Sequence, residues 1–240
     1  MTIILYNTPM FKKHPMLSLI IIILFIQFLF GSNRLQSFLQ NPLSFIFLML
    51  SILIALVIHE FAHALAADQL GDPNPRLDGR VSLNPLKHLD PLGTLLIVII
   101  GFGWGKPVSF DPYNLKDPVK DGALIAAAGP LSNIFLAIIC ALLLRFLALP
   151  IMLGSFIYVL FQINLVLAIF NLIPIYPLDG HHILRTFFTP QLRSSYDLFN
   201  RQFGFLVAFL LIFPLFGSTS PIHQIMDPTL KLLNSLLLGI

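Results

Sequence analysis

Residues 43–66 read LSFIFLMLSILIALVIHEFAHALA, an apolar run that is interrupted near its end by two histidines and one glutamate. The run is long enough to cross a bilayer, because a helix needs about 20 apolar residues to span the hydrocarbon core. Ionisable side chains inside such a helix are costly to bury and mark a functional site by default. The run therefore predicts a membrane helix that carries a site.

The pentapeptide His59-Glu60-Phe61-Ala62-His63 has the spacing of a zinc site. Histidines at positions i and i+4 project from one helix face and can bind one zinc ion, and the glutamate beside the first can act as general base on a zinc-bound water. The alternative for the histidines is hydrogen bonding between helices, and for the glutamate it is a structural counter-ion. The position of Glu60 next to His59 favours catalysis.

The composition is that of a polytopic membrane protein. Hydrophobic residues make up 57% of the chain and charged residues only 10%, whereas a soluble domain is about a quarter charged. The net charge of +3 comes without a run of Lys or Arg, so nucleic-acid binding is not indicated. We expect an all-α fold in a single membrane-embedded domain over residues 1–240.

The apolar runs predict about six transmembrane helices, near residues 15–31, 43–66, 121–148, 154–173, 202–217 and 221–240. The run at 15–31 resembles a signal peptide, but no A-x-A-like cleavage site follows it, and we interpret it as a retained helix. Prolines interrupt the last two runs, and Lys231 lies inside the sixth. A glycine-rich piece near 92–110 is too short to cross and predicts a short re-entrant segment or a β-hairpin.

The basic residues are distributed unequally between the two sides of this arrangement. Eleven of the fourteen Lys and Arg residues fall at the N-terminus or after the second and fourth spans, whereas Arg34 and Arg145 fall on the opposite side. Positive residues favour the cytoplasmic side of a membrane. The sequence therefore predicts an integral multi-pass protein of the cell membrane, with a cytoplasmic N-terminus and with His59 and His63 toward the cytoplasmic side.

A catalytic zinc ion usually has three protein ligands, so a third residue is expected at the depth of the two histidines. The fourth predicted span also runs inward and ends in NLIPIYPLDG, residues 171–180. Pro174 and Pro177 cannot continue a regular helix, and Gly180 permits a sharp turn. These residues predict that Asp179 swings toward the metal; its alternative role is to cap or turn the chain.

HEFAH and NLIPIYPLDG together resemble the site-2 proteases, a family of intramembrane zinc metalloproteases. Three further segments are similar to this family: GRVSLNPLKHLDP at residues 79–91, GWGKPV at 103–108 and AGPLSN at 128–133. The resemblance covers roughly residues 43–185 with the motifs in the family's order. No PDZ insertion interrupts them, so the chain is similar to the compact form of the family.

The resemblance implies one Zn²⁺ per chain, held by His59, His63 and Asp179, with Glu60 as general base on the zinc-activated water. The expected reaction is hydrolysis of peptide bonds in transmembrane or membrane-associated protein substrates within the lipid bilayer. The resemblance also implies a role for Asn133 in binding the substrate backbone or the oxyanion. The alternative is a structural role, in which Asn133 forms a hydrogen bond to another helix.

Two features leave other roles open. Family members often have LDGG or LDGS where this chain has Leu178-Asp179-Gly180-His181-His182, so the added histidine pair could compete for metal or donate a hydrogen bond beside it. Trp104 is equally suited to anchoring at the membrane interface and to touching substrate.

Two other classes of protein are weighed against a protease. A transporter is the main alternative, because intramembrane His, Glu and Asp also mark ion pathways. The sequence has no internal repeat of the kind many transporters contain. A non-catalytic membrane scaffold is disfavoured because every expected catalytic residue is present.

Overall fold

The structure of the protein is a computed structural model that describes residues 40–100, 103–212 and 220–239. These residues are mainly helical and contain no named strand, which confirms the all-α class. The helices are α1 (Pro42–Gln69), α2 (Asn74–Leu77), α3 (Pro91–Ile100), α4 (Lys120–Phe146), α5 (Ile151–Asn171), α6 (Asp179–Leu184), α7 (Pro190–Phe199), α8 (Phe205–Ile212) and α9 (Pro221–Leu238).

Three helices of the described residues, α1, α4 and α5, are long and apolar enough to cross a membrane. They match the spans predicted at 43–66, 121–148 and 154–173. The start of α1 is fixed by Asn41, whose side chain accepts the N–H of Ser44, and by a proline in the first turn. The start of α4 is fixed by Asp117, which accepts the N–H groups of Val119 and Lys120.

The other three predicted spans are not confirmed. The run at 15–31 lies outside the described residues, and of the run at 202–217 the structure describes only the part up to residue 212. The run at 221–240 is helical as α9, but the helix does not reach the hydropathy of a membrane span. The polar side chains of His223, Asp227, Lys231 and Asn234 are the physical reason.

The helices α1, α4 and α5 pack against one another through small side chains. Ala55 and Ala64 of α1, Ala137 of α4 and Ala168 of α5 have no exposed surface. Small residues let helix backbones approach closely, and this is how membrane helices usually associate. Cys140 of α4 lies in the same core as a free thiol. The three helices therefore form a close bundle in which neighbouring side chains can meet.

The predicted β-hairpin near 92–110 is not confirmed. Residues 91–100 form α3, because the side chain of Asp90 accepts the N–H of Gly93 at 2.7 Å and so caps a helix. In the described part of this segment the strand-like pairing is a single antiparallel bridge between Leu89 and Gly105. Lys106 N–H adds a hydrogen bond to the His88 carbonyl at 2.7 Å. The two ends of the segment thus meet, and α3 lies between them.

The helix α7 continues into α8 through one π-helical turn, Asn200–Gly204. A π turn inserts an extra residue into the helical ladder, and such turns are frequent at functional sites. This turn packs beside the loop between α5 and α6, which carries Asp179 at its end.

Candidate metal centre

His59 and His63 lie one turn apart on the same face of α1, and both are buried. Their ring planes are nearly perpendicular, and their Nε2 atoms lie 3.0 Å apart. The spacing of the two residues in the sequence therefore brings one nitrogen of each ring to a common point.

The other ring nitrogen of each histidine is held by an acceptor on α4. His59 Nδ1–H donates to Asn133 Oδ1 at 2.6 Å, and His63 Nδ1–H donates to the carbonyl of Ile125 at 2.7 Å. In a neutral imidazole, a proton on Nδ1 leaves Nε2 as an acceptor. Both Nε2 lone pairs are therefore presented toward the common point.

Asp179, the first residue of α6, reaches this point from the other end of the sequence. Its carboxylate oxygens lie 3.2 Å from His59 Nε2 and 3.4 Å from His63 Nε2. The three residues form the one group of described His, Cys, Asp and Glu residues that could hold a metal ion. The structure thus brings together the three residues that the sequence nominated as ligands.

The chemistry of these three candidate ligands fits a zinc ion. The two Nε2 atoms and the carboxylate are all acceptors, and the buried Oδ2 of Asp179 has no hydrogen-bond donor. Facing acceptors repel one another unless a cation lies between them. Zn–N bonds of about 2.0–2.1 Å in tetrahedral geometry place ligand atoms roughly 3.3 Å apart. The separations between 3.0 and 3.4 Å agree with this value.

Gly129 of α4 packs directly behind the two histidine rings. A Cβ atom at this position would overlap His63 Nε2 and lie 2.7 Å from His59 Cε1. No real Cβ approaches another atom that closely, so a side chain here would force the rings or the helices apart. This close approach explains in physical terms why glycine occupies the AGPLSN segment at this point.

The loop that delivers Asp179 is held by close contacts on two sides. Gly180 passes against the carbonyls of Leu172 and Ile173 at the end of α5, where a Cβ would overlap both oxygens. On the other side, Tyr196 of α7 donates its hydroxyl to the Pro174 carbonyl at 2.6 Å.

The buried Asn200, at the start of the π turn, holds the same loop. Its Oδ1 accepts the N–H of Tyr176 at 2.8 Å, and its Nδ2 donates to the carbonyl of Tyr196. Neither Tyr196 nor Asn200 was predicted from the sequence to hold this loop. They lie in a polar segment, and nothing in its pattern indicates which loop it contacts.

Glu60 faces the segment that follows α3. Its Oε2 accepts the N–H of Val108 at 3.1 Å and lies 3.5 Å from the Arg80 guanidinium. Glu60 itself is buried. The carboxylate is therefore fixed by one backbone donor and one positive charge.

Arg80 is buried, whereas its sequence position predicted only a basic residue of the family-like segment 79–91 on the cytoplasmic side. Its guanidinium donates to the carbonyls of Lys87 and Lys106 and so ties together the two segments that flank α3. Burial lowers the pKa of Arg80 from its usual value, while the charge of Glu60 opposes that change. Arginine is effectively always protonated in proteins, so the guanidinium keeps its charge. The sequence signal that could have indicated a role for Arg80 was its place in the family-like segment GRVSLNPLKHLDP.

The histidine pair after Asp179 does not join the metal-capable group. The ring of His181 stacks on Tyr196 at a centroid distance of 4.9 Å, and its Nε2 lies 3.6 Å from Asp197. Burial, with the adjacent charge of His182, lowers the pKa of His181 to about 4. His182 instead lies edge-on to Phe110. His181 therefore packs against α7, and His182 packs against the segment that follows α3.

Asn133, nominated for substrate or oxyanion binding, is fully buried between the helices, with its amide engaged to His59, Ala55 and Asn164. Asn164 is a further buried polar residue that sequence reasoning missed. An asparagine in the middle of the mainly apolar α5 was the signal that could have found it. Trp104 packs against Gly93 of α3.

Comparison with known proteins shows the family to which this sequence belongs. The family model for peptidase family M50 matches residues 147–215. "Putative zinc metalloprotease YwhC" of Bacillus subtilis is 38% identical over 189 residues, which cover 75% of this chain and 85% of that protein. The chain belongs to peptidase family M50.

Relatives of lower identity match comparable lengths of the chain. "Putative zinc metalloprotease Rip2" of Mycolicibacterium smegmatis is 30% identical over 72% of this chain and 70% of that protein. "Putative zinc metalloprotease MJ0611" of Methanocaldococcus jannaschii is 28% identical over 73% of this chain and 85% of that protein. No solved structure gives a significant match. The predicted membership of the site-2 protease family, and with it a metalloprotease, is confirmed.

Proposed function

We propose that this M50 member is an intramembrane zinc metalloprotease that hydrolyses peptide bonds of transmembrane or membrane-associated proteins. The observation that carries the proposal is the convergence of His59, His63 and Asp179: the two Nε2 atoms lie 3.0 Å apart, and the Asp179 oxygens lie 3.2 and 3.4 Å from them. Two of these residues lie in a helix that is apolar enough to cross a membrane. One Zn²⁺ per chain would be held by these three residues.

The bound Zn²⁺ would supply a Lewis acid that polarises the scissile carbonyl and lowers the pKa of water to about 7. The other steps belong to side chains of this chain. The Glu60 carboxylate accepts a proton from the attacking water and passes it to the leaving amine. Val108 N–H and the Arg80 guanidinium hold that carboxylate in place.

The proposal includes the full membrane topology predicted from the sequence. Residues 1–240 form one domain with about six spans, residues 92–110 are re-entrant, and the N-terminus is cytoplasmic. The bias of basic residues supports this orientation. A cytoplasmic position of the site gives water a short route to it.

Replacing Glu60 by Gln tests the proposed chemistry. An amide of nearly the same shape cannot accept the proton, so we expect peptide cleavage to be lost while zinc content stays near that of the wild type. The measurement pairs metal analysis with cleavage of a model transmembrane substrate in detergent. Asp68→Asn is the matched control, because Asp68 lies on the same helix and pairs with Arg76 outside the site. Near-normal turnover in Glu60→Gln would remove this residue as the base.

A further inference from the structure

Two asparagines, Asn133 of α4 and Asn164 of α5, meet between the three long helices. Both have no exposed surface, and Asn133 Nδ2 donates to Asn164 Oδ1 at 2.8 Å. A buried amide pair in an apolar bundle is costly unless every polar atom is satisfied. The hydrogen-bond partners of these amide atoms therefore indicate what the pair does.

The donors of Asn133 are fully used inside the protein. One N–H of Nδ2 donates to Asn164 Oδ1, and the other donates to the carbonyl of Ala55 on α1 at 3.0 Å. A primary amide has two N–H donors. Asn133 therefore has no donor left for a substrate or an oxyanion, which argues against the role expected from the family resemblance.

The same two contacts fix the orientation of the Asn133 amide, that is, which side carries its oxygen and which its nitrogen. If the amide were flipped, its oxygen would face the Ala55 carbonyl and Asn164 Oδ1, both of which are acceptors. Asn164 is itself held, because its Nδ2 donates to the carbonyl of Leu160 at 2.8 Å. The oxygen of Asn133 is therefore turned toward His59, where it accepts the Nδ1–H.

We propose that Asn164 and Asn133 act in sequence as positioning residues for His59. Asn164 orients the amide of Asn133, and Asn133 holds the His59 ring with its proton on Nδ1 and its Nε2 lone pair toward the metal. Metal-binding histidines commonly depend on such a partner for their second nitrogen. His63 needs no side chain for this purpose, because its Nδ1–H donates to a backbone carbonyl.

The inference rests on the proposed function, because it assigns the pair to the zinc site. It predicts that Asn133→Ala weakens zinc binding about 10- to 100-fold, the usual range for loss of such a partner. Asn164→Ala should also weaken zinc binding, but by less. Asn133 is still present in this variant and loses only its contact with Asn164. Saturating zinc should restore peptide cleavage in both variants.

The experiment measures zinc affinity of the purified full-length variants by competition with a chelator, and cleavage of a transmembrane substrate with and without excess zinc. Gln162→Ala is the matched control: Gln162 also lies on α5 and forms an amide pair, with Asn234, away from the metal centre. Its zinc affinity should equal that of the wild type. Asn164→Ala keeps the test decisive if Asn133→Ala does not fold.

Two other results would distinguish a failure of this inference from a failure of the proposed function. Unchanged zinc affinity in both asparagine variants, with cleavage lost and not restored by zinc, would overturn the inference and return Asn133 to substrate binding. Wild-type protein without measurable zinc affinity would contradict the proposed function itself.

Discussion

The two sides of the metal centre are built in different ways. His59 and His63 rest on the long regular helix α1, which is packed by alanines and backed by Gly129 of α4. Asp179 begins α6 at the end of an irregular loop that follows α5, and this loop is held by hydrogen bonds with Tyr196 and Asn200. One side is positioned by close packing and the other by a few polar contacts.

This difference has a consequence for how each side responds to mutation. Packed helices tolerate no added volume at their contact, because protein interiors are as dense as organic crystals. A loop held by single hydrogen bonds loses only the contact that is removed, worth about 1–3 kcal/mol when a buried partner is left unsatisfied. We therefore expect added volume on the histidine side to have larger effects than lost contacts on the aspartate side.

Gly129→Ala is expected to have the largest effect on zinc binding. The new methyl group would overlap His63 Nε2, so either the ring rotates away from its partner on α4 or the helices separate. Zinc affinity should fall by at least about 100-fold, the upper end of the range for changes beside metal ligands.

Chelator competition on purified protein measures this loss. Gly154→Ala is the control, because a Cβ there would meet Leu149 Cβ at an ordinary 3.8 Å. Wild-type zinc affinity in Gly129→Ala would show that the histidine side is not tightly packed in solution.

Asn200→Ala is expected to have a smaller effect, on the aspartate side. The change removes the acceptor for Tyr176 N–H and leaves that donor without its partner. The loop before Asp179 should become more mobile, and zinc affinity should fall about tenfold, at the lower end of the same range. Hydrogen exchange at residues 174–178 should become faster.

The matched control is Asn171→Ala, since Asn171 Nδ2 donates only within its own helix, to the Leu167 carbonyl. A loss in Asn200→Ala equal to that in Gly129→Ala would remove the distinction between the two sides. Unchanged exchange in the loop would show that Asn200 does not hold it.

The sequence allowed the histidine side to be predicted more fully than the aspartate side. The spacing of His59 and His63 is a local property of one helix, and local periodicity is readable from a single chain. The position of Asp179 followed from the ligand count and from prolines that end α5, without any indication of what holds the loop.

The contacts that could not be predicted join segments far apart in the chain. Asn133 and His59 are 74 positions apart, and Arg80 reaches Lys106 across α3. No pattern of hydrophobicity or charge in one sequence specifies such pairs. Arg80 is an example: the sequence predicted that it lies on the cytoplasmic side, but not that it is buried beside Glu60.

X-ray absorption at the zinc edge of the purified wild-type protein tests most directly the claim that both sides meet at one metal ion. We expect metal analysis to give one zinc per chain and the spectrum to show two imidazole nitrogens at about 2.0–2.1 Å and oxygen ligands at about 2.0–2.2 Å. In the His59→Ala, His63→Ala double variant, bound zinc should be lost. A sulfur ligand in the wild type, or undiminished zinc in the double variant, would contradict the account.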